Sequence, residues 1–82
     1  MSKRAKLIAR LENMRGDFTW MELEQLLYQL GYIKQEGSGS RVKFCNGEPA
    51  AKIILHKPHP GNELKRYARK EVLEKLRAGG LI

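Results

Sequence analysis

Thr19-Trp20-Met21-Glu22-Leu23-Glu24-Gln25-Leu26-Leu27-Tyr28-Gln29-Leu30-Gly31-Tyr32-Ile33-Lys34-Gln35 is the stretch in which the hydrophobic period changes, and with it the class of fold. Its first half opens on a capping box: the Thr19 hydroxyl accepts from the amide three residues on, and Glu22 reaches back to the Thr19 amide. Phe18, one residue before the cap, is placed to staple onto Leu23. Leu23, Leu26, Leu27 and Leu30 then lie on one helical face, and Gly31 stands where a helix ends in the left-handed conformation. After Gly31 the spacing predicts strand, beginning with Tyr32-Ile33-Lys34-Gln35.

Outward from this stretch the pattern stays regular. Ser2 is positioned to cap an earlier helix from about Lys3 to Met14, with Leu7, Ile8 and Leu11 on one stripe. Downstream, residues 36–40 are a Gly/Ser connection, and Arg41-Val42-Lys43-Phe44-Cys45 alternates as a half-buried strand. Asn46-Gly47 signals a turn, a third strand is expected over residues 51–56, and the prolines at 58 and 60 forbid regular structure. Asn62 is expected to cap a last helix from Glu63 to about Ala78, with Leu64, Ala68, Val72 and Leu76 spaced four apart and Gly79-Gly80 ending it. The order α, α, β, β, β, α predicts an α+β fold in which one antiparallel sheet is covered by helices on one face. Val42, Phe44, Ile53 and Leu55 then face the helices, while Arg41, Lys43, Lys52, Ile54 and His56 share the open face.

With 82 residues the chain has room for one domain and one core, not for a two-lobed enzyme. The longest apolar runs fall far short of the roughly 20 residues of a membrane helix, and Arg10, Glu12 and Arg15 interrupt any signal-peptide core, so a cytoplasmic protein without a membrane partner is expected. One cysteine, Cys45, permits neither an internal disulfide nor a cysteine-built zinc site, and it reads as a small hydrophobe at a strand end. The balance of 16 Lys and Arg against 9 Asp and Glu gives a net charge of +7, which calls for a polyanionic partner, most simply nucleic acid.

Three groups of residues bear on chemistry. Gly37-Ser38-Gly39-Ser40-Arg41 has the composition of an anion nest, although a plain hairpin loop is the simpler explanation. His56 and His59 sit three apart, with only Glu63 and Cys45 nearby to complete a metal site, so neither a metal nor a cofactor is expected. Acid–base work on RNA suits them better: one imidazole removes a ribose 2′-hydroxyl proton, a second group protonates the leaving oxygen, and Arg41, Lys43 or Lys57 holds the phosphate. Two surface histidines would also account for the spacing. Lys65 and Arg66 stand at a helix N-terminus, where the dipole disfavours cations and a docking anion would compensate. Arg69, Lys70, Lys75 and Arg77 read as a solvated face partly paired with Glu71 and Glu74, and Trp20, Tyr28, Tyr32 and Tyr67 as packing aromatics.

The Thr19-capped helix, the Gly-Ser hairpin before Arg41-Val42-Lys43-Phe44, and Pro58-His59-Pro60-Gly61-Asn62-Glu63-Leu64 ahead of a final helix together resemble the HicA family of bacterial toxins. The resemblance covers residues 18–82 as the family core and leaves residues 1–17 as an N-terminal extension of a single domain, 1–82. It implies a fold like a double-stranded-RNA-binding domain, α-β-β-β-α, here with an extra N-terminal helix. It further implies a metal-free endoribonuclease acting on mRNA, neutralised by a HicB-type antitoxin in a heteromeric toxin–antitoxin complex. Many members carry a catalytic histidine at the start of the hairpin, and this chain has Gly39 or Ser40 there. The resemblance therefore leaves His59 and His56 as catalytic candidates, with Arg41, Lys43, Lys52, Lys57, Lys65, Arg66, Ser38 and Ser40 on the RNA. The alternatives are a copy that has lost catalysis, a non-catalytic RNA-binding module, or a small DNA-binding regulator built on the first two helices. The last is weakened by the poor tight turn at residues 14–19 and by a second helix offering only Glu22, Glu24, Gln25 and Gln29 as polar groups.

Overall fold

The computed structural model describes residues 3–58 and 61–82. Its elements are α1 (Lys3–Glu12), α2 (Trp20–Gln29), β1 (Ile33–Glu36), β2 (Arg41–Cys45), a single 3₁₀ turn (Pro49–Ala51), β3 (Ile53–His56) and α3 (Arg66–Ala78). The strands form one antiparallel sheet in the order β1-β2-β3. The fold is the expected α+β arrangement of helix, three strands and helix, preceded by one further helix. No helix among the described residues is long and apolar enough to cross a membrane.

Local chemistry explains the elements. The capping box on α2 is complete: Thr19 Oγ1 accepts from the Glu22 amide at 3.2 Å, and Glu22 Oε1 accepts from the Thr19 amide at 3.0 Å. Gly31 closes the helix at φ +91°, a conformation open to glycine at little cost. The alternation of β2 and β3 sends Val42, Phe44, Ile53 and Leu55 into the core and leaves Arg41, Ile54 and His56 exposed with Lys43 partly so. The core centres on Phe18, Leu11, Leu23, Leu26, Leu27, Ile53, Val72 and Leu76. The Trp20 and Phe44 rings meet across it at 5.8 Å between centroids, and the Tyr32 hydroxyl donates to the Ala51 carbonyl at 2.6 Å.

Several expectations need correction. The last helix begins at Arg66, not Glu63, because the backbone of residues 62–64 is engaged elsewhere: the Trp20 amide donates to the Asn62 carbonyl at 2.7 Å, and the Leu64 amide to the Phe18 carbonyl at 2.9 Å. This short bridge, with Thr19 opposite Glu63, keeps Asn62 from acting as the cap and leaves Lys65 as the N-cap residue without a side-chain bond. The first helix stops at Glu12, and the Ser2 cap lies outside the described residues. The 3₁₀ turn shortens the third strand to residues 53–56, so Lys52 precedes it. Of the four aromatics assigned to packing, Trp20 and Tyr32 are buried, but Tyr28 and Tyr67 are exposed. Arg77 pairs with Glu12 of α1 at 3.2 Å rather than with a carboxylate of its own helix.

Arg69 is the largest departure. Expected on a solvated face, it is 4% exposed. Its guanidinium donates to the carbonyls of Gly16 at 2.6 Å, Arg10 at 2.7 Å, Asn13 at 2.9 Å and Leu11 at 3.2 Å. It also lies over the Phe18 ring, 5.7 Å from the centroid. Burial lowers its pKa, yet a guanidinium stays charged at any ordinary pH. The C-terminal carbonyls of α1 have no partners within their own helix, and this one cation satisfies them from α3.

Two outcomes follow. Arg69→Met retains the apolar stem and strands the buried carbonyls, so denaturant unfolding should show a loss of about 3 kcal/mol, with Arg69→Lys restoring only part because one ammonium cannot reach four acceptors. Glu22, hydrogen-bonded first by Arg10 and then by Thr19, is held below the usual glutamate pKa. That contribution is present above the ordinary value of about 4.3 and fades as pH falls from there through the depressed folded value. Glu22→Gln keeps a capping-box acceptor but not the charge; it should be less stable than the parent at pH 7, and the gap should close on acidification. A gap independent of pH would show that the ion pair contributes nothing.

Candidate functional site

The β1–β2 hairpin turns through residues 37–40. The Gly37 amide donates to the Arg41 carbonyl at 2.8 Å, the Arg41 amide to the Ser38 carbonyl at 3.3 Å, and Gly39 takes φ +63°, the left-handed conformation the turn requires. This geometry delivers Ser40 to the end of β3. Its carbonyl accepts from the Lys57 amide at 2.8 Å, and its Oγ lies 3.2 Å from His56 Nδ1. Arg41 and His56 are directly paired in the β2–β3 register, with Lys43 opposite Ile54 two positions on. Ser40, Arg41, His56 and Lys57 therefore meet at one corner of the sheet.

The start of α3 closes the same corner from the helix side. His56, Lys57, Pro58, Glu63, Lys65 and Tyr67 line a recess of about 220 Å³. The first turn of α3 holds no acidic residue, and Lys65 and Arg66 occupy its N-cap and first position. Among the described residues, none of Arg41, Lys43, Lys57, Lys65 and Arg66 takes part in an ion pair, whereas Glu12, Glu22 and Glu24 are engaged by Arg77, Arg10 and Lys34. Glu63 is the carboxylate within the recess. Arg41, Lys43, Lys57, Lys65 and Arg66 thus stand at or beside the hairpin corner without ion-pair partners, with the His56 imidazole and the Glu63 carboxylate in the same group.

The expected site residues divide accordingly. Ser40, Arg41, His56, Lys57 and Lys65 are brought together, and Lys43 continues the patch along the open face. Arg66 is exposed at the helix start, and Ser38 is exposed in the loop. Lys52 is not brought in: it lies beside Cys45, Gly47, Glu48 and Pro49 at the other end of β3, roughly 13 Å from His56 along an extended strand. His59 lies outside the described residues. Of Gly39 and Ser40, only Ser40 has a side chain, and that side chain meets His56. Sequence reasoning missed Tyr67, although the stripe Leu64, Ala68, Val72, Leu76 leaves position 67 about 100° away from the buried face.

A second groove, about 410 Å³, runs between α2 and β1 and is lined by Met21, Gln25, Tyr28, Tyr32 and Phe44. It lies away from the cationic corner. Its one cation, Lys34, is held by Glu24 at 2.7 Å, so the groove offers little to a phosphate.

No curated protein and no solved structure matches the sequence. A family model described as the HicA toxin of bacterial toxin-antitoxin matches residues 20–78, from the first residue of α2 to the last of α3, and so spans the sheet, the hairpin corner and both helices that cover them. The α-β-β-β-α core laid out above is that matched region, and the chain belongs to the HicA toxin family of bacterial toxin–antitoxin systems.

Proposed function

We propose that this toxin acts on single-stranded RNA, mRNA in the cell, as a metal-independent endoribonuclease, and that a HicB-type antitoxin neutralises it by covering the cationic corner. The observation that carries the reading is the Ser40–His56 contact at 3.2 Å, flanked by Arg41 and Lys57. The contact engages Nδ1 and leaves Nε2 as the ring nitrogen for substrate. A serine hydroxyl both donates and accepts, so it supports either tautomer of the ring. With Nδ1–H donating to Ser40 Oγ, Nε2 accepts the proton of a ribose 2′-hydroxyl. The 2′-oxygen then attacks phosphorus, the bond to the 5′-oxygen breaks, and that oxygen takes a proton from a second acid. His59, in the Pro58-His59-Pro60 segment, is assigned that proton on sequence grounds. Arg41, Lys43, Lys57 and Lys65 offset the charge that develops on the phosphoryl oxygens. The products are a 2′,3′-cyclic phosphate and a 5′-hydroxyl.

One observation favours a second reading, a non-catalytic RNA-binding member. Gly39 or Ser40 stands where the family resemblance places a histidine, and neither is an efficient acid or base near pH 7. Under either reading an acidic antitoxin surface suits the corner, since it neutralises the unpaired cations while excluding RNA. The DNA-binding alternative gains nothing from the fold, because α2 presents Met21, Glu24, Gln25 and Tyr28 rather than cations.

Unstructured RNA incubated with the protein in the presence of a chelator separates the two. The parent chain is expected to cut it and leave cyclic-phosphate ends, His56→Ala to lose on the order of a hundredfold or more in rate, and Ser40→Ala to lose less. RNA that is retarded but left intact by the parent would establish the non-catalytic reading. Cleavage by His56→Ala at the parental rate would remove His56 from the mechanism.

A further inference from the structure

Tyr67 is the second residue of α3, is 66% exposed, and lines the recess together with His56, Lys57, Pro58, Lys65 and the carboxylate of Glu63. A large aromatic left in water beside unpaired cations is the combination with which proteins hold single-stranded nucleic acid: the cations track phosphates and the ring stacks on a base. Tyr28 is the internal contrast. It is 81% exposed, but it sits with Met21, Glu24 and Gln25 on a groove without a free cation. Exposure alone therefore does not single out Tyr67; its cationic surroundings do.

We infer that Tyr67 is the stacking platform for one unpaired nucleobase of the RNA whose phosphate lies against His56 and Lys57. The inference rests on the RNA-directed reading of the same corner and adds to it the residue that would hold an unpaired base. In an A-form duplex each base face is covered by its neighbours, so the Tyr67 ring is matched only by a base that has left the stack. Pro58 adds a second apolar wall to the recess. Because every base has a π-face, the subsite selects for an unpaired nucleotide and not for a particular base. It places the selection for single strands in a side chain on α3, apart from the end of β3 that carries the acid–base group.

The test reads binding on RNA that cannot be cut. A fluorescently labelled single-stranded oligonucleotide with 2′-O-methyl riboses lacks the attacking hydroxyl, and anisotropy titration gives its affinity. Tyr67→Ala should weaken binding about tenfold or more, Tyr67→Phe should stay within about twofold, and Tyr28→Ala should match the parent. The same oligonucleotide annealed to its complement should bind the parent and Tyr67→Ala equally. Equal single-strand binding by Tyr67→Ala, equal loss in Tyr67→Phe and Tyr67→Ala, an equal loss on the duplex, or no binding by the parent would each overturn the subsite. The side chain is exposed, so the variants should melt with the parent, and circular dichroism checks this. Cleavage of unmodified RNA is scored separately, so failure of the nuclease reading and failure of the stacking subsite give different results.

Discussion

The carbonyls at the end of α1 need donors, and the fold supplies them through Arg69. Its guanidinium collects four main-chain oxygens between Arg10 and Gly16 while covering the ring of Phe18. That arrangement ties three things together. It docks α1 against α3; it fixes the connection after α1, so that Phe18 arrives at full burial; and it sets the backbone of residues 18–20 alongside residues 62–64. The last pairing decides where α3 starts. Were residues 62–64 free to be helical, Lys65 and Tyr67 would lie within the first turns of a longer helix. Because they are held extended, Lys65 becomes the N-cap and Tyr67 projects from the first turn at the rim of the recess. A structural cation on α3 thus bears on the functional corner at the start of the same helix, two residues away at Tyr67.

Charge is partitioned along the same line. The carboxylates of α1 and α2 are largely engaged by Arg77, Arg10 and Lys34, pairs that are exposed and individually worth little to stability. Their effect on the field is larger. They offset Arg10, Lys34 and Arg77 and leave Arg41, Lys43, Lys57, Lys65 and Arg66 outside any ion pair among the described residues where β2, β3 and α3 converge. A polyanion approaching the chain is steered to that corner, and an acidic protein competing for it meets the same field.

Most of the architecture was legible in the sequence because it rests on local rules. The capping box at Thr19 and Glu22, the left-handed Gly31 and the alternation of Val42, Phe44, Ile53 and Leu55 each dictate structure within a few residues, and each stands as read. The two largest misreadings share one cause, contacts distant in sequence. Asn62 is a competent cap by composition, but its carbonyl is bound by Trp20, some forty positions earlier. Arg69 looks like its neighbour Lys70 until the end of α1 and the connection after it present four carbonyls to it. At the candidate site the cations and His56 were named from charge and residue type. Their convergence depends on the hairpin register that sets Arg41 against His56, and no spacing within one strand encodes that.

That register also bears on the serine at the hairpin. On the proposed reading, the imidazole that other HicA toxins carry at the start of the hairpin is supplied by the neighbouring strand, and Ser40 serves as its partner. Antiparallel pairing makes the exchange geometrically mild, because the end of β3 and the end of the hairpin are adjacent by construction. The cost lies in freedom. An imidazole on a loop flanked by glycines keeps rotational latitude, whereas His56 sits on an ordered strand with Nδ1 bonded to Ser40. On that reading the ring meets its substrate through Nε2, which favours a substrate whose base is itself fixed. Tyr67, on the wall of that recess, is placed to fix it, so the relocated imidazole and the aromatic platform make sense as one arrangement.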